Sequence, residues 1–556
     1  MANINFFALG GLDERGKNLY GINVDGDIFL FDLGVKNPDR DTLGIDTVIP
    51  NFEYLKKNKK NIKGVFVSKV SAENCNAIAY LLKEINVPVY GSQMLSKVLK
   101  FNLTQFKLFN RFSNFVLIKN HQIINFDKVK IEIFSTTTGV PNSFGFVIHT
   151  ADGKIVYTGD YIFDNSNNEI FATDIQHLSK IGMDKNVLLL LSESSSALNS
   201  GFTAPDHKIT NYISKYIKES KGRVIFFCFD QDIHKIYELA NLLENSDFDE
   251  IGVYGQNLIE ALSLKNGKEY SIGNIKLKLL VNLKNKERNA IIVTGTGQKL
   301  YNRLIRIAQD SDDLMKIRED DTIILATPPV SGNELSHAKV LDELTRTNAK
   351  VVTLSSSKVK TMNASYEDIK QMVSLIKPKY FIPVRGLYKD FIGAKNAAIE
   401  AGVSKENVLI ADNGQLFNFK DKEFKKNNIL KIPCGDTFVD GIGIGDIGPI
   451  VLNDRKQLAN DGVLIVGVAI GIKTKKIIST IDIQMRGVMF ISETKEIFKK
   501  IEQIITSVID EHRFKFEQEK EFDLKNVRFD MQNKLSYFSK KQIGKNPIIL
   551  SIIKEI

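Results

Sequence analysis

Seven histidines, His121, His149, His177, His207, His234, His337 and His512, are the side chains of this sequence best suited to hold a transition metal or move a proton. No two lie within five residues of each other, so a zinc pair at helical or strand spacing is absent. A lone histidine such as His121 or His149 reads as a surface or satisfied core residue ahead of a ligand. Cys75, Cys228 and Cys434 lie too far apart for a disulfide framework or a Cys-x-x-Cys knuckle, which implies a reducing cytoplasm. A second chemistry sits in glycine-containing segments at the ends of predicted strands. These are residues 8–18 (ALGGLDERGKN), Tyr157-Thr158-Gly159-Asp160 and Thr294-Gly295-Thr296-Gly297-Gln298. Glycine there is first a turn residue. The turns at 294–298 and 331–334, the latter beginning at Ser331, could also present backbone N–H groups to phosphates, and both readings stay open.

The elements that must position these groups are legible from apolar periodicity. Short β-branched runs at 4–9, 20–24, 28–32, 64–67, 87–90, 129–134, 144–149 and 155–157 predict strands, with helices at 77–85 and 92–99. This is a mixed α/β layer structure. From about residue 204 to 341 regular strand-helix alternation predicts an inserted parallel α/β domain. Strands at 349–354 and 380–383 around a helix at 366–376 then resume the first domain. The lysine-rich stretch 418–428 reads as a linker, and GIGIGD at 441–446 opens a C-terminal region with a charged amphipathic helix near 493–513. The expected division is 1–203 and 347–418 for the first domain, 204–346 for the insertion, 419–439 for the linker and 440–556 for the last domain.

At 556 residues the chain exceeds one core, and its 43% hydrophobic and 25% charged composition is that of a folded protein. The N-terminus lacks a signal-peptide pattern, and the apolar run 463–472 is half of a membrane span, so no membrane association is expected. The net charge of +9 suits a phosphate-rich partner and is also common on surfaces that bind nothing.

Taken together, the order and spacing of ALGGLDERGKN, FDLGVKNP (31–38), LGIDTVIP (43–50), VYTGD (156–160), SGFT (200–203), Gly332-Asn333-Glu334, LIKPKYFIPVRG (375–386), DGIGIGDIG (440–448) and NPIILSIIKEI (546–556) resemble the ribonuclease J family nearly end to end. That resemblance implies a metallo-β-lactamase αββα sandwich, an inserted β-CASP α/β domain, a linker and a small α+β C-terminal domain used for self-association. It also implies two zinc ions that acidify a water and neutralise the scissile phosphate of RNA. The family's first ligand cluster, His-x-His-x-Asp-His, aligns with Lys69, Ser71, Glu73 and Asn74. The next histidine aligns with Thr138, the bridging aspartate is Asp160, and the last histidine is Arg385. No histidine survives at these positions.

Lys69 and Arg385 therefore place two cations beside Asp160, Glu73 and Glu193, where they would replace the lost metal charge and keep the cleft folded. No metal cofactor and no catalytic residue is expected, with the positions above as vestiges. The family's 5′-phosphate clamp aligns with residues 359–363, leaving Lys358, Lys360 and Asn363 as candidate contacts. On the insertion, His234 in Asp230-Gln-Asp-Ile-His-Lys235, Thr294, Gly295, Thr296 and Ser331 are candidates to approach RNA. The leading expectation is a catalytically silent ribonuclease J-like protein that binds RNA. It would associate through its C-terminal domain with an active paralogue or itself, as dimer or tetramer. The alternatives are a weak ribonuclease with a reduced Mg²⁺ or Mn²⁺ site at Asp160 and Glu73, and a protein-binding subunit without RNA contact.

Overall fold

The structure, a computed structural model, describes residues 2–39, 42–164, 168–244, 246–264, 268–283, 288–327, 329, 333–355, 358–441, 443–489, 494–518 and 521–556. Ser331 lies outside these residues. Two sheets form the first layers. One has nine strands, in the order Glu423–Phe424, Gln415–Lys420, Asn3–Gly10, Leu19–Val24, Asp27–Phe31, Ile62–Phe66, Val89–Gly91 and Phe115–Leu117, with Leu430–Lys431 paired beside Gln415–Lys420. The other has six, in the order Tyr380–Val384, Val187–Glu193, Gly153–Tyr157, Ser143–Thr150, Lys130–Thr136 and Ile123–Asn125.

Strand periodicity builds the sandwich. Tyr157, Leu189 and Leu191 point from the second sheet at Phe6, Tyr20, Phe31 and Phe66 of the first. The Phe31 ring lies 5.6 Å from Phe146 and 5.5 Å from Tyr157. Their neighbours Val156 and Leu190 point the other way, onto Leu178, Ile369, Met372 and Ala394 of the helices Ile175–Met183, Tyr366–Ile376 and Tyr388–Glu400. Each such side chain contributes roughly 1.5–3 kcal/mol of burial.

Between Glu193 and Tyr380 the chain builds a separate seven-stranded sheet, mostly parallel, in which Val224–Phe229 pairs with Ala290–Gly295 on one side and Thr322–Leu325 on the other. Val224, Phe226 and Cys228 face one cluster of side chains and Ile225, Phe227 and Phe229 the other. A strand buried on both faces reads as the continuous apolar run seen here.

Three expectations need correction. The strand Lys350–Thr353, expected to resume the first domain, instead pairs in parallel with Thr322–Leu325 at the edge of the inserted sheet. The stretch beginning at 418 is not a linker at its start, because Asn418, Phe419 and Lys420 pair with Asn5, Ile4 and Asn3 and bury Phe419 in the sandwich. Its lysines decorate the strand ends, which gave the run a linker's charge. The strand Val187–Glu193, absent from the strands expected from sequence, lies second in its sheet and is buried throughout. Its VLLLL run lacks the alternation that flags a half-buried strand.

Residues Pro38–Thr47 and Phe438–Ile556 form a second compact unit. In it Val463–Ile470 pairs antiparallel with Asp482–Arg486 and parallel with Ile548–Glu555. The helices Thr494–Glu517 and Leu524–Gln542 cover one face, joining Ile501, Ile505, Val508, Val527 and Met531 to Leu464, Val466, Val468 and Ile470. The longer helix extends the one expected near 493–513, and the second was not expected. Among the described residues no helix is long and apolar enough to cross a membrane.

Candidate functional site

Four strand ends converge on one carboxylate. The parallel strands Gly153–Tyr157, Val187–Glu193 and Tyr380–Val384 end at Asp160, Glu193 and Arg385, and Ile62–Phe66 of the facing sheet leads to Lys69. The carboxyl ends of parallel strands are where α/β folds place ligands. The turn that lifts Asp160 requires Gly159, whose φ is +58° and whose missing Cβ would lie 2.7 Å from the Ser68 Cβ.

Lys69 Nζ donates to Asp160 Oδ2, and the Arg385 guanidinium lies against Oδ1. Asp160 is 1% exposed and Lys69 7%. Arg385 also donates from Nη2 to Glu73 Oε2 at 3.0 Å, so one guanidinium joins two carboxylates. Its backbone is fixed: the N–H donates to Gly11 O at 3.0 Å, the carbonyl accepts from Ser194, and φ is +55°. Burial, aided by Arg385, pushes the Lys69 ammonium down to about 7.

Glu193 belongs to the same cleft but takes neutral partners: Ala364 N–H at 2.6 Å, Asn363 Nδ2 at 3.0 Å and Ser195 Oγ at 2.9 Å. Burial pushes its carboxyl up to about 7. Asn363, a candidate RNA contact, thus spends its amide on Glu193.

Beneath the cleft lies a residue that sequence reading missed. Asp32 accepts from Ser68 N at 2.8 Å, Ser68 Oγ, Asn74 Nδ2 at 2.8 Å and Tyr157 OH at 2.5 Å. Burial raises its carboxyl pKa against the lowering pull of these bonds. Asn74 in turn accepts from Ser71 Oγ at 2.7 Å. Ser71 and Asn74 therefore anchor the Lys69 loop to Asp32 and do not reach Asp160's partners. The signal was available in the aspartate of FDLG, which ends an otherwise apolar strand. Thr138 is occupied by its own turn, accepting from Val140 N–H at 3.0 Å and bonding Ser143 Oγ at 2.8 Å.

The candidate RNA contacts divide by burial. Thr294 is buried inside its strand, and His234, largely buried under Phe171 and beside His207, reaches only the edge of a small cleft. Burial and the neighbouring His207 push the His234 imidazole down to about 3. Thr296 Oγ1 donates to Asp230 Oδ2 at 2.9 Å, and Asn257 bonds both, which locks the turn containing Gly295. Lys360 donates to the carbonyls of Ser200 and Phe202 and pairs with Asp206, so it tethers a loop. Lys358 is exposed.

A sandwich of two sheets flanked by helices, interrupted by a parallel α/β unit and centred on a strand-end aspartate, is the architecture of the metallo-β-lactamase proteins with a β-CASP insertion. Sequence comparison narrows this. The profile of the "Ribonuclease J, beta-CASP domain" matches residues 221–344, and that of the "Ribonuclease J C-terminal domain" matches 450–556. Ribonuclease J 2 of Staphylococcus aureus (strain MRSA252) is 30% identical over 557 aligned residues, covering 100% of this chain and 98% of the relative. Ribonuclease J 2 of Staphylococcus epidermidis is 29% identical over the same extent. The chain belongs to the ribonuclease J family, whose members are nucleases of RNA processing and decay. A crystal structure of a protein of unknown function from Enterococcus faecalis V583 shares the fold at a TM-score of 0.52 and 14% identity, over 75% of this chain and 100% of that one.

Family membership corrects one expectation. Ribonuclease J nucleases are metal-dependent, so the inference that this chain carries no metal cofactor does not stand. What the residues do not fit is the family's pair of zinc ions at Asp160. Zinc needs converging neutral imidazoles and carboxylates, and here an ammonium and a guanidinium occupy both carboxylate oxygens.

Proposed function

We propose that this chain is a cytoplasmic, RNA-binding ribonuclease J-family subunit whose ancestral cleft does not cleave RNA and which assists an active family member. The observation that carries this reading is the occupation of both Asp160 oxygens by Lys69 and Arg385. An incoming divalent ion would meet two fixed cations and would have to break a buried pair, a loss of roughly 3–5 kcal/mol for one partner.

Retained binding surfaces support the rest. The turn at Gly295 and Thr296 is braced by Asp230 and Asn257 as a backbone presentation needs, Lys358 is exposed, and the net charge is +9. In the C-terminal unit Ile450 and Leu458 of the helix Pro449–Asp461, and Leu550 and Ile552 of the last strand, are exposed apolar residues that suit association with another chain.

The test is binding of a 5′-monophosphorylated RNA by the purified chain across a salt series, alone and mixed with an active ribonuclease J. Salt-dependent binding without cleavage, and a mixed complex by sedimentation, are the expected results. No RNA binding at low salt, or no association with the active enzyme, would contradict it.

A further inference from the structure

Away from the Asp160 pair, Asp164, His207 and His234 bring one carboxylate oxygen and two imidazole nitrogens within 4.8 Å of one another. They come from separate places. Asp164 follows the strand-end turn that carries Asp160, His207 precedes the helix Thr210–Glu219, and His234 opens the helix Ile233–Leu243. Such convergence is invisible to spacing rules, because His207 lies 43 positions and His234 70 positions along the chain from Asp164.

The three groups are buried and under-used. His207 is 0% exposed, yet neither of its ring nitrogens has a hydrogen-bond partner among the described residues, and the same holds for His234 Nδ1 and Asp164 Oδ2. His207 Nε2 lies 3.4 Å from Asp164 Oδ2, and the two imidazole centroids are 5.2 Å apart. Leaving a buried polar group unsatisfied costs roughly 1–3 kcal/mol each, so an arrangement with several of them calls for a shared partner. A single divalent ion ligated at about 2.0–2.2 Å would take one nitrogen of each imidazole and the Asp164 oxygen together.

The surroundings hold the ligands in place. Glu238 accepts from Ile209 N and Thr210 Oγ1, both at 3.0 Å, fixing the segment that bears His207. Phe171 packs edge-on against His234 at 5.0 Å, and the backbone N–H of His234 donates to Gly139 O at 2.9 Å. The charged groups facing the cluster are Lys208, whose Nζ takes the other Asp164 oxygen at 3.2 Å, and Glu238, 3.9 Å from His234 Nδ1. Beside them opens a cleft of about 340 Å³ lined by Asn168, Lys208, Thr210, His234, Tyr237 and Glu238, with room for a fourth ligand.

We propose that Asp164, His207 and His234 form a mononuclear zinc site that pins the loop after Asp160 to the first turn of the helix Ile233–Leu243. The ligand set, two imidazoles and one carboxylate with an open position, is one that zinc takes. The site shares no ligand with the family's metal positions, and the helix and loop it joins come from the two different sheet systems of the first unit.

The test uses the purified full-length chain, stripped of metal and titrated with Co²⁺ as a spectroscopic substitute for Zn²⁺. The expected result is one equivalent bound with the intense visible bands of tetrahedral cobalt, and a melting temperature raised by Zn²⁺. His207→Ala and His234→Ala should lose both, and Asp160→Asn should keep both. His207→Cys, which retains a ligand atom, should keep the ion and add a thiolate-to-cobalt charge-transfer band, so the site is still tested if an alanine variant fails to fold. Absence of stoichiometric binding, bands unchanged in both alanine variants, or no charge-transfer band in a folded His207→Cys chain would overturn the proposal.

Discussion

Lys69 and Arg385, more than three hundred positions apart in the chain, each take one oxygen of the Asp160 carboxylate, and Arg385 extends the contact to Glu73. These two contacts are what the proposed loss of cleavage rests on. Replacing either cation leaves a buried carboxylate half-neutralised, so Lys69→Met or Arg385→Met should destabilise the chain by roughly 3–5 kcal/mol. In urea unfolding, Lys69→Met combined with Asp160→Asn should cost less than the sum of the single changes, by up to about 3 kcal/mol. Additive costs would mean that the two residues do not act as a pair.

Asp32 carries a different load. Asp32→Ala strands Ser68, Asn74 and Tyr157 donors together beneath the Lys69 loop, at roughly 1–3 kcal/mol for each buried group left unmade. Thermal unfolding of Asp32→Ala beside Asp39→Ala, an exposed aspartate, checks this. Equal melting temperatures would contradict it.

Much of the fold was legible because it obeys simple periods. The runs at 4–9, 144–149, 224–229 and 380–383 fall within the strands Asn3–Gly10, Ser143–Thr150, Val224–Phe229 and Tyr380–Val384, and the helix Tyr366–Ile376 has the expected bounds. The site was legible only through its resemblance to a family, since Lys69, Asp160 and Arg385 have no spacing that announces a cluster. The strand Val187–Glu193 was hidden by an unbroken apolar run. The start of the 418–428 stretch was mistaken for a linker because charge at a strand end and charge in a linker look alike. The burial of His234 is not legible in the sequence, because it arises only where Phe171 and His207 fold over it.

A pH dependence follows from Glu132, which lies 2.7 Å from His149 Nε2 and 2.8 Å from His177 Nε2. The hydrogen bond from His149 and the close pairing with His177 hold the Glu132 carboxyl well below its ordinary range, and the nearby Glu132 raises His177. A histidine raised in the folded state contributes stability that is full below its unfolded value of about 6.5. That stability is lost as pH rises through the folded value. The unfolding free energy should therefore fall as pH rises above about 6.5, and Glu132→Gln should flatten this slope. An unchanged slope in Glu132→Gln would exclude the pair as its source.

The two lysines near the former clamp should separate in their effects. Lys358→Ala should lower the slope of log affinity for RNA against log salt by about 1. Lys360→Ala should instead loosen the 200–203 loop, read as faster hydrogen exchange there, because its ammonium holds the Ser200 and Phe202 carbonyls. Identical salt slopes for Lys358→Ala and the parent would remove Lys358 from the RNA surface.

Association should depend on the exposed face of the C-terminal strand. Ile552, 59% exposed, is more exposed than Leu550, 47%, on the same face of that strand. Ile552→Asp should leave the circular dichroism spectrum intact and reduce the sedimenting mass of the complex with an active ribonuclease J or with itself. An unchanged mass would place the interface elsewhere.

The most direct measurement is degradation of a 5′-monophosphorylated RNA by the purified chain in Zn²⁺, Mg²⁺ or Mn²⁺, beside an Asp160→Ala chain prepared identically. With Lys69 and Arg385 on the Asp160 carboxylate, the two preparations should show the same background and no metal-dependent cleavage. Cleavage that requires a metal and vanishes in Asp160→Ala would show that the cations move aside and that the ancestral cleft still works.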